Sequence, residues 1–396
     1  MSLSIIHLSD IHIQNNNDCV LSKAEEIGKA CSYSVQHNSN VIIVISGDIA
    51  FSGKPEQYIL ANQLIASISN YLIQHNNVHI DYIFVPGNHD CNFNKSSSIR
   101  NALIKVINSA DIDQEYYDMM TSVQESYVKF CEKYQMPCDR IITTKELNYN
   151  NKKILFVLTN SAWMSTLHET PGKIVIPPTL MSNIDSQEYN IVFSVIHHPE
   201  NWFNPDYKAE YNAFIRHKTD FILVGHEHRK DNYATIGSNW SIYVNHGKEL
   251  QDTNSDSSGF SIICFDENLH SFTTTDWLWD GRKYIRDSIA EQAFHKNTSA
   301  HLSLVLPNNQ TLQEMNDLGV TINHFSKHNV TLTDLFVYPD IDKVYYNSSF
   351  SKRERIKTKA IAALTKDDFS LIVGPASSGK SSLAKMLYLY YANTVM

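Results

Sequence analysis

The order of apolar segments along the chain predicts an α/β fold. Short runs rich in β-branched residues, such as Val41–Ile45, alternate with longer segments whose apolar residues recur at helical spacing, such as Ile59–Gln74. Apolar runs of this length that end at glycine or proline are typical of buried strands. Alternating strands and helices favour parallel strands joined by right-handed crossovers. The sequence therefore predicts βαβ units in the first part of the chain.

The predicted elements follow one another regularly as far as residue 224. The predicted strands are Ser4–Leu8, Val41–Ile45, Tyr82–Val85, Ile154–Thr159, Ile191–Ile196 and Phe221–Val224, and helices are predicted over Val20–His37 and Ile59–Gln74. Ser96–Tyr134 is predicted to be a long helical region, either a cap beside a site or an ordinary insertion. Beyond Gly247, Phe260–Phe265 and His270–Thr275 predict a second sheet of antiparallel strands.

Composition limits the classes of protein that the chain can belong to. Its 396 residues are 42% hydrophobic, which is enough for a sizeable core. The net charge of −9 and scattered basic residues argue against general nucleic-acid binding. Bound metals can still supply the positive charge that a phosphate substrate needs. We expect no signal peptide and no membrane partner, because no apolar run approaches the length of about 18 residues that spans a bilayer. The six cysteines form no CxxC pair, which predicts reduced thiols and a cytoplasmic location.

Five short motifs stand at or just after the ends of predicted strands. They are Asp10-Ile11-His12, Gly47-Asp48, Gly87-Asn88-His89-Asp90, His197-His198 and Gly225-His226-Glu227-His228. Carboxylate, amide and imidazole groups bind divalent metals, and a two-metal site needs one group between ions about 3.5–4 Å apart. Each motif alone occurs by chance, but the ordered set predicts a metal centre in which Asp48 bridges. Spacing alone leaves open whether His197 or His198 binds metal.

The ordered set DxH, GD, GNH[DE], H and GHxH resembles the pattern of the calcineurin-like metallophosphoesterase family, over roughly residues 4–280. The resemblance implies a four-layer α/β/β/α sandwich of two mixed sheets, with the site at the carboxyl ends of the strands. It also implies two divalent metal ions, one held by Asp10, His12, Asp48 and His228 and the other by Asp48, Asn88, His197 and His226. It favours His197 over His198, and leaves the metals open among Mn, Fe, Zn and similar ions.

The resemblance further implies hydrolysis of phosphate mono- or diesters. A water whose pKa the metals lower would attack phosphorus in line. His89 is predicted to be the general acid or a transition-state stabiliser, and Asp90 the carboxylate that orients it. His198 is interpreted as an outer contact of the metal site, a substrate contact or a packing residue.

The nature of the substrate stays open between small esters and nucleotides or nucleic acids. Asn201–Pro205 either offers an aromatic platform for a base or is a loop anchored by its own aromatic residues, and we favour the second interpretation. Four residues outside the motifs are predicted to be structural: Cys91, His168, His217 and His246.

A second motif lies near the end of the chain, where Gly374–Ser381 matches GxxxxGK[ST]. A strand is predicted before it, over Phe369–Val373, and a helix after it, over Ser382–Tyr391. Such loops bind nucleotides through backbone N–H groups, with the lysine on the β- and γ-phosphates and the hydroxyl on Mg²⁺. The predicted nucleotide-binding residues are Gly374, Gly379, Lys380 and Ser381.

The chain ends soon after this loop, so we interpret it as the strand-helix start of a truncated NTPase domain. ATP and Mg²⁺ binding is then expected only in a longer protein. Lys352–Leu364 is predicted to be a basic helix, and Thr331–Tyr338 a short ordered connector. Its DLFVYP segment, Asp334–Pro339, resembles segments that precede STAND-type NTPases.

Three regions are therefore predicted: a metallophosphoesterase domain (1–285), a connector (286–350) and the start of a P-loop domain (351–396). The leading hypothesis is a phosphoesterase effector of an NTPase-regulated signalling or defence protein, which oligomerises through the missing NTPase region. The alternative is a catalytically silent module of a STAND-type NTPase that binds a nucleotide or a partner. The complete ligand set argues against this alternative.

Overall fold

Two six-stranded sheets lie at the centre of the first of two units, Met1–Ala300 and His301–Met396, into which the chain divides. The computed structural model describes residues 2–105, 112–177, 186–228, 232–236, 241–251, 258–296, 309–320, 322, 324, 327, 330–346, 353–364 and 371–395. The strands of the first unit are β1 (Leu3–Leu8), β2 (Asn40–Ile45), β3 (His79–Phe84), β4 (Ile142–Tyr149), β5 (Lys152–Thr159), β6 (Ile191–Ile196), β7 (Phe221–Val224), β8 (Tyr233–Ile236), β9 (Ser241–His246), β10 (Gly259–Phe265), β11 (Ser271–Trp279) and β12 (Tyr284–Ala293). Its helices are α1 (Cys19–Ser22), α2 (Ala24–Ser34), α3 (Pro55–Asn76), α4 (Ser98–Lys105), α5 (Gln114–Thr121), α6 (Glu125–Glu132) and α7 (Pro205–Lys218).

The first sheet has the strand order β12-β11-β10-β1-β2-β3. Strands β1, β2 and β3 are parallel, and β1 and β2 are buried along their whole length, as continuous apolar runs require. Leu8 pairs with Ile45, and Ile45 with Phe84, so the three strands end side by side. The chain segments that follow these strands therefore leave the sheet at one edge.

The second sheet has the order β4-β5-β6-β7-β9-β8. Its four central strands are parallel, and the edge strands β4 and β8 pair antiparallel to their neighbours. Ile196 pairs with Thr159 and with Val224, which brings the ends of β6 and β7 together. Both sheets are mixed, as predicted.

The two sheets face each other across an aromatic core. Phe193 and Phe221 of the second sheet contact Phe265 of the first, with ring centroids 6.1 Å and 5.3 Å apart. Helices α2 and α3 pack together outside the first sheet, where α2 contacts β10 and β12. Residues of α7 cover the other face of the second sheet. The layers therefore follow the predicted α/β/β/α order.

Some predicted elements differ from the structure of the first unit. Strands β10 and β11 are antiparallel, as predicted, but β10 pairs with β1, so they extend the first sheet instead of forming a second one. Local periodicity identifies a strand but does not identify its partner. The region Ser96–Tyr134 contains the separate helices α4, α5 and α6, with residues 106–111 outside the described part. Residue 285, the predicted end of the domain, lies within β12.

The second unit contains one hairpin and four helices among its described residues. They are α8 (Asn309–Asn316), α9 (Leu332–Leu335), β13 (Asp340–Tyr346), β14 (Arg353–Lys359), α10 (Ala360–Leu364) and α11 (Lys380–Val395). The helix predicted over Lys352–Leu364 is wrong for its first part, since β14 pairs antiparallel with β13. Basic residues alternate along β14, which is the period of a strand and not of a helix.

The segment before the GxxxxGK[ST] loop also departs from its prediction. Residues 371–373 lie outside any strand, with Leu371 90% and Val373 83% exposed. Residues 369–370 lie outside the described part of the chain. Helix α11 follows the loop and begins at Lys380, two residues before the predicted start. None of the described helices is both long enough and apolar enough to cross a membrane.

Candidate metal centre

The five predicted motifs converge at the edge where the parallel strands end. The segment after β1 is bonded to the segment after β2, because the backbone N–H of Asp10 donates to the Gly47 carbonyl at 3.2 Å and that of His12 to the Asp48 carbonyl at 2.9 Å. Within the second sheet, the Gly225 N–H donates to the His197 carbonyl at 3.0 Å, and across the two sheets the Leu250 N–H donates to the Ser9 carbonyl at 3.2 Å. These backbone bonds hold the motif side chains in one cluster at the carboxyl ends of the strands.

Five of the predicted metal ligands have left-handed backbone conformations. The φ angles are 52° at Asp10, 51° at His12, 54° at Asp48, 70° at His226 and 50° at His228. Non-glycine residues seldom adopt positive φ, and each instance costs about 1–3 kcal/mol unless the surroundings compensate. Such strain clusters at functional sites, where the fold holds side chains in a required direction.

Glycines allow the motif segments to approach each other closely. Gly47 has a φ of +102°, and a Cβ atom there would lie 2.4 Å from Nδ1 of His197. A Cβ atom on Gly87 would lie 2.1 Å from Oδ1 of Asp48. No larger residue fits these positions without displacing a predicted ligand.

A first ligand group gathers around Asp10, which is fully buried. Its Oδ1 atom lies 3.1 Å from Nε2 of His228 and 3.8 Å from Nε2 of His12. One ligand atom from each of these three residues lies within 4.8 Å of the others, which is close enough for a single metal ion. This group contains three of the four residues that the family resemblance assigns to the first ion, the fourth being Asp48.

A second ligand group gathers around Nε2 of His197. This atom lies 3.3 Å from Oδ2 of Asp48, 3.2 Å from Oδ1 of Asn88 and 3.2 Å from Nδ1 of His226. His197 is itself fully buried, and its Nδ1 donates to the Ser46 carbonyl at 2.8 Å. That bond leaves Nε2 as the atom available to a metal.

Asp48 lies between the two groups. Its Oδ2 atom is 3.8 Å from Nε2 of His12 and 3.3 Å from Nε2 of His197. Its Oδ1 atom accepts the backbone N–H of His89 at 2.8 Å, which fixes the orientation of the carboxylate. A buried carboxylate that reaches both groups has the geometry required of a bridging ligand.

The electrostatics of the cluster favour cations. Burial alone would raise the pKa of the Asp48 carboxyl, but the neighbouring His197 imidazole holds that pKa below its ordinary value. The His228 hydrogen bond does the same for Asp10 against the effect of burial. Burial lowers the pKa of His12 and His226, which therefore stay neutral with a free lone pair. Burial would also lower the pKa of His197 and His228, but the Asp48 and Asp10 carboxylates raise it to about 9 and about 10. Metal binding at these two rings would displace a proton, and the resulting set of ionised carboxylates and imidazoles fits divalent ions.

His89 lies beside the first group but is oriented differently from the prediction. Its Nδ1 atom bonds to the Phe51 carbonyl at 2.8 Å. Asp90 turns inward and accepts N–H groups of Ile49, Ala50 and Gly87 at 2.9–3.2 Å. The hydroxyl of Tyr58 also donates to it at 2.8 Å.

The prediction that Asp90 orients His89 is therefore wrong. The Asp90 carboxylate satisfies buried backbone donors that follow β2 and β3. Asp90 thus holds together the segments that carry Asp48 and Asn88.

Sequence motifs did not identify the residues that surround the cluster. Nδ1 of His228 lies 3.2 Å from Glu249, and His198 is held by Ser161 at 2.9 Å and by Glu169 at 3.1 Å. His198 is fully buried, its ring centroid is 4.5 Å from that of His226, and one of its ring nitrogens lies within 4.8 Å of ligand atoms of His197 and His226. The two glutamates lie in no motif, and only the folded chain brings them to the histidines.

The predicted nucleotide-binding residues lie in the second unit. Gly379 has a φ of +80°, and the Lys380 ammonium donates to the carbonyls of Gly374 at 2.9 Å and Pro375 at 2.6 Å. Ser381 lies in the first turn of α11.

A two-sheet α/β sandwich with this cluster at its strand ends defines the class of metallophosphoesterases. The chain belongs to the calcineurin-like phosphoesterase family, whose model matches residues 3–230. Members of this family use divalent metals. No curated protein matches the sequence.

Several solved structures are similar to the chain at low sequence identity. Vps29 from Entamoeba histolytica, complexed with Zn²⁺, is 10% identical, with 74% of this chain and 99% of that chain covered and a TM-score of 0.31. A predicted phosphoesterase from Streptococcus pneumoniae is 12% identical, with 74% and 98% covered and a TM-score of 0.27. PhoD is 8% identical, with 74% and 68% covered and a TM-score of 0.40.

Proposed function

We propose that the first unit is a binuclear metal-dependent phosphoesterase that hydrolyses phosphate mono- or diesters. The observation that carries this proposal is the position of Asp48, whose Oδ2 atom faces both ligand groups at 3.3 Å and 3.8 Å. One ion would be held by Asp10, His12, Asp48 and His228, and the other by Asp48, Asn88, His197 and His226. Bound there, the ions would supply an activated water and neutralise the charge on the phosphate oxygens.

The chain's own residues would position the substrate and move the proton. His89 is anchored through Nδ1 to the Phe51 carbonyl, so Nε2 is the ring atom left to face a substrate. A proton on Nε2 would be delivered to the leaving oxygen, which is the task of a general acid. The ring centroid of His89 lies 4.6 Å from that of His12, so this proton would lie beside the first ligand group.

Hydrolysis of an aryl phosphodiester in the presence of Mn²⁺ tests the proposal. Asp48→Ala removes a ligand shared by both ions and should reduce kcat/KM below detection. His89→Ala should leave Mn²⁺ binding intact and lower kcat about 10²–10⁴-fold, the usual contribution of a general acid. Full activity of Asp48→Ala would overturn the proposal. Mn²⁺ binding without hydrolysis of any mono- or diester would favour a silent regulatory module instead.

We further propose that this unit is the effector of an NTPase-regulated signalling or defence protein. The support is the GxxxxGK[ST] match at Gly374–Ser381 together with the helix α11 that begins at Lys380. ATP and Mg²⁺ binding, and oligomerisation through an NTPase region, belong to a longer protein in this proposal. All six cysteines are free, which fits a cytoplasmic location.

A further inference from the structure

Two aromatic side chains flank the metal centre, one beside each ligand group. Phe51 is 41% exposed, and its ring centroid lies 5.2 Å from that of His89 and 6.3 Å from that of His12. Trp202 lies next to the other group, with its ring centroid 4.2 Å from that of His226 and 5.7 Å from that of His198. A substrate phosphate bound between the groups would therefore have an aromatic surface beside each ion.

Trp202 also lines a cavity of about 410 Å³, which is within the size range of small-molecule sites. Met164, Ile174 and Val175 give it an apolar wall, whereas the exposed Lys105 and Lys173 make part of its lining cationic. Its acidic residue, Glu169, is paired with His198 at 3.1 Å. An apolar wall, an aromatic ring and exposed lysines suit a planar base attached to a phosphate.

The wall beside Trp202 is fixed before any ligand binds. The N–H groups of Gly172, Lys173 and Ile174 all lie 3.1 Å from the Trp202 carbonyl. The Trp202 indole N–H donates to Glu227 at 3.1 Å, between the predicted ligands His226 and His228. The ring, the lysine-bearing segment and the metal ligands therefore form one connected structure. Such preorganisation lowers the entropy lost on binding.

We infer that this site takes a nucleotide phosphodiester with a base on each side of the scissile phosphate, as in a dinucleotide or a short single strand. The inference rests on the proposed function and specifies its substrate. The leaving nucleoside would lie at Phe51, because Phe51 contacts the predicted general acid His89. The retained nucleoside would lie at Trp202, with its base toward the cavity and its next phosphate near Lys105 and Lys173. A phosphate monoester carries only one organic group and would leave one of these two aromatic surfaces uncovered.

The interpretation of Asn201–Pro205 as a loop anchored by its own aromatic residues agrees with Phe203, which is buried with its ring centroid 4.8 Å from that of Tyr211. In the present proposal Trp202 of this loop also offers a surface for a base. Trp202 is anchored, but through Glu227 and the segment 172–174, and its ring lies against His226. The net charge of −9 still argues against tight binding of long duplexes, which depends on many phosphate contacts. Base stacking on Trp202 and Phe51 would supply much of the selectivity.

A comparison of two diesters with the same leaving group tests the assignment in the full chain with Mn²⁺. The substrates are thymidine 5′-(p-nitrophenyl phosphate) and methyl p-nitrophenyl phosphate. We expect kcat/KM to be at least about tenfold higher for the thymidine ester, since stacking of one base gives a preference of this order. Trp202→Leu should bring the ratio of the two kcat/KM values close to one, whereas Trp202→Phe, which keeps a ring, should retain most of the preference.

The matched control is Tyr33→Ala, which removes an aromatic side chain that is 77% exposed and stacks on Trp277. It should leave the ratio unchanged. Equal kcat/KM values for the two esters in the wild-type chain, or an unchanged ratio in Trp202→Leu, would overturn the inference while the phosphoesterase activity stands.

Failure of the wild-type chain to hydrolyse either ester would count against the proposed function itself. Calorimetric titration with the dinucleotide thymidylyl-thymidine then decides the inference separately. Binding that weakens at least tenfold in Trp202→Leu supports the nucleotide site. Absence of binding to the wild-type chain overturns it.

Discussion

Replacing Gly47 by alanine tests whether the close approach of two strand ends sets the position of His197. Gly47 has a φ of +102°, and a Cβ atom there would lie 2.4 Å from the Nδ1 atom of the His197 ring. The substitution therefore adds two costs, one conformational and one steric. Gly281 has a similar φ of +96°, but a Cβ atom there would meet nothing within 4 Å. Gly281→Ala thus measures the conformational cost alone.

The two variants should differ in a predictable way. A left-handed alanine costs about 1–2 kcal/mol, which is the expected loss in free energy of unfolding for Gly281→Ala. Forcing a methyl group into a filled site adds about 1–3 kcal/mol, so Gly47→Ala should lose about 2–5 kcal/mol. The His197 ring must also move away from Asp48 and Asn88, and the affinity for Mn²⁺ should fall at least about tenfold, as it does when the support of a ligand is removed.

Urea unfolding gives the first quantity, and calorimetric titration with Mn²⁺ gives the second. The urea m-value should stay constant if both variants keep the same native fold. Equal losses of stability in the two variants would refute the steric argument. Unchanged Mn²⁺ affinity in Gly47→Ala would refute the assignment of His197 as a metal ligand whose position requires glycine at residue 47.

Two further predictions concern the buried polar residues behind the site. A chain of hydrogen bonds connects the buried His7 ring to a predicted ligand: His7 bonds to Ser46 at 2.8 Å, Ser46 to Ser9 at 3.0 Å and Ser9 to Asp10 at 2.5 Å. His7→Phe should therefore weaken Mn²⁺ binding about 10–100-fold in calorimetry. Ser4→Ala, on the same strand, is the control, and equal Mn²⁺ affinities of the two variants would contradict this role of His7. The Lys248 ammonium lies 2.7 Å from Asp276, and both side chains are buried. Lys248→Ala should therefore lower the free energy of unfolding in urea by about 3–5 kcal/mol, because it leaves the Asp276 charge buried without this partner. A loss below about 1 kcal/mol would show that the ion pair is not needed for stability.

Local sequence patterns predicted the elements that carry the site. Continuous apolar runs identified β1, β2, β6 and β7, and the polar residues directly after them identified the cluster, because parallel strands end at one edge of a sheet. The family resemblance assigned the ligands to two groups, and in the structure one ligand atom each of Asp10, His12 and His228 lies within 4.8 Å of the others, as is also true of Asp10, Asp48 and His197. Because such strands are buried on both faces, they occur in the sequence as continuous apolar runs.

Other features depend on contacts between distant segments, and local patterns carry little information about them. The pairing of β10 with β1 joins residues about 260 positions apart. The bond from His89 to the Phe51 carbonyl joins residues 38 positions apart, and Asp90 accepts the N–H of Ala50 from 40 positions away.

The sequence alone thus predicted the chemistry of the site, because carboxylate, amide and imidazole groups at the ends of predicted strands are enough to predict metal binding. Tertiary structure decided the direction of each side chain and what lies around the metals. The left-handed backbone at Asp10 and Asp48 and the contact of Trp202 with His226 arise where segments distant in sequence come together. The physical reason is that a strained conformation or a ring contact is stable only when many distant residues hold it.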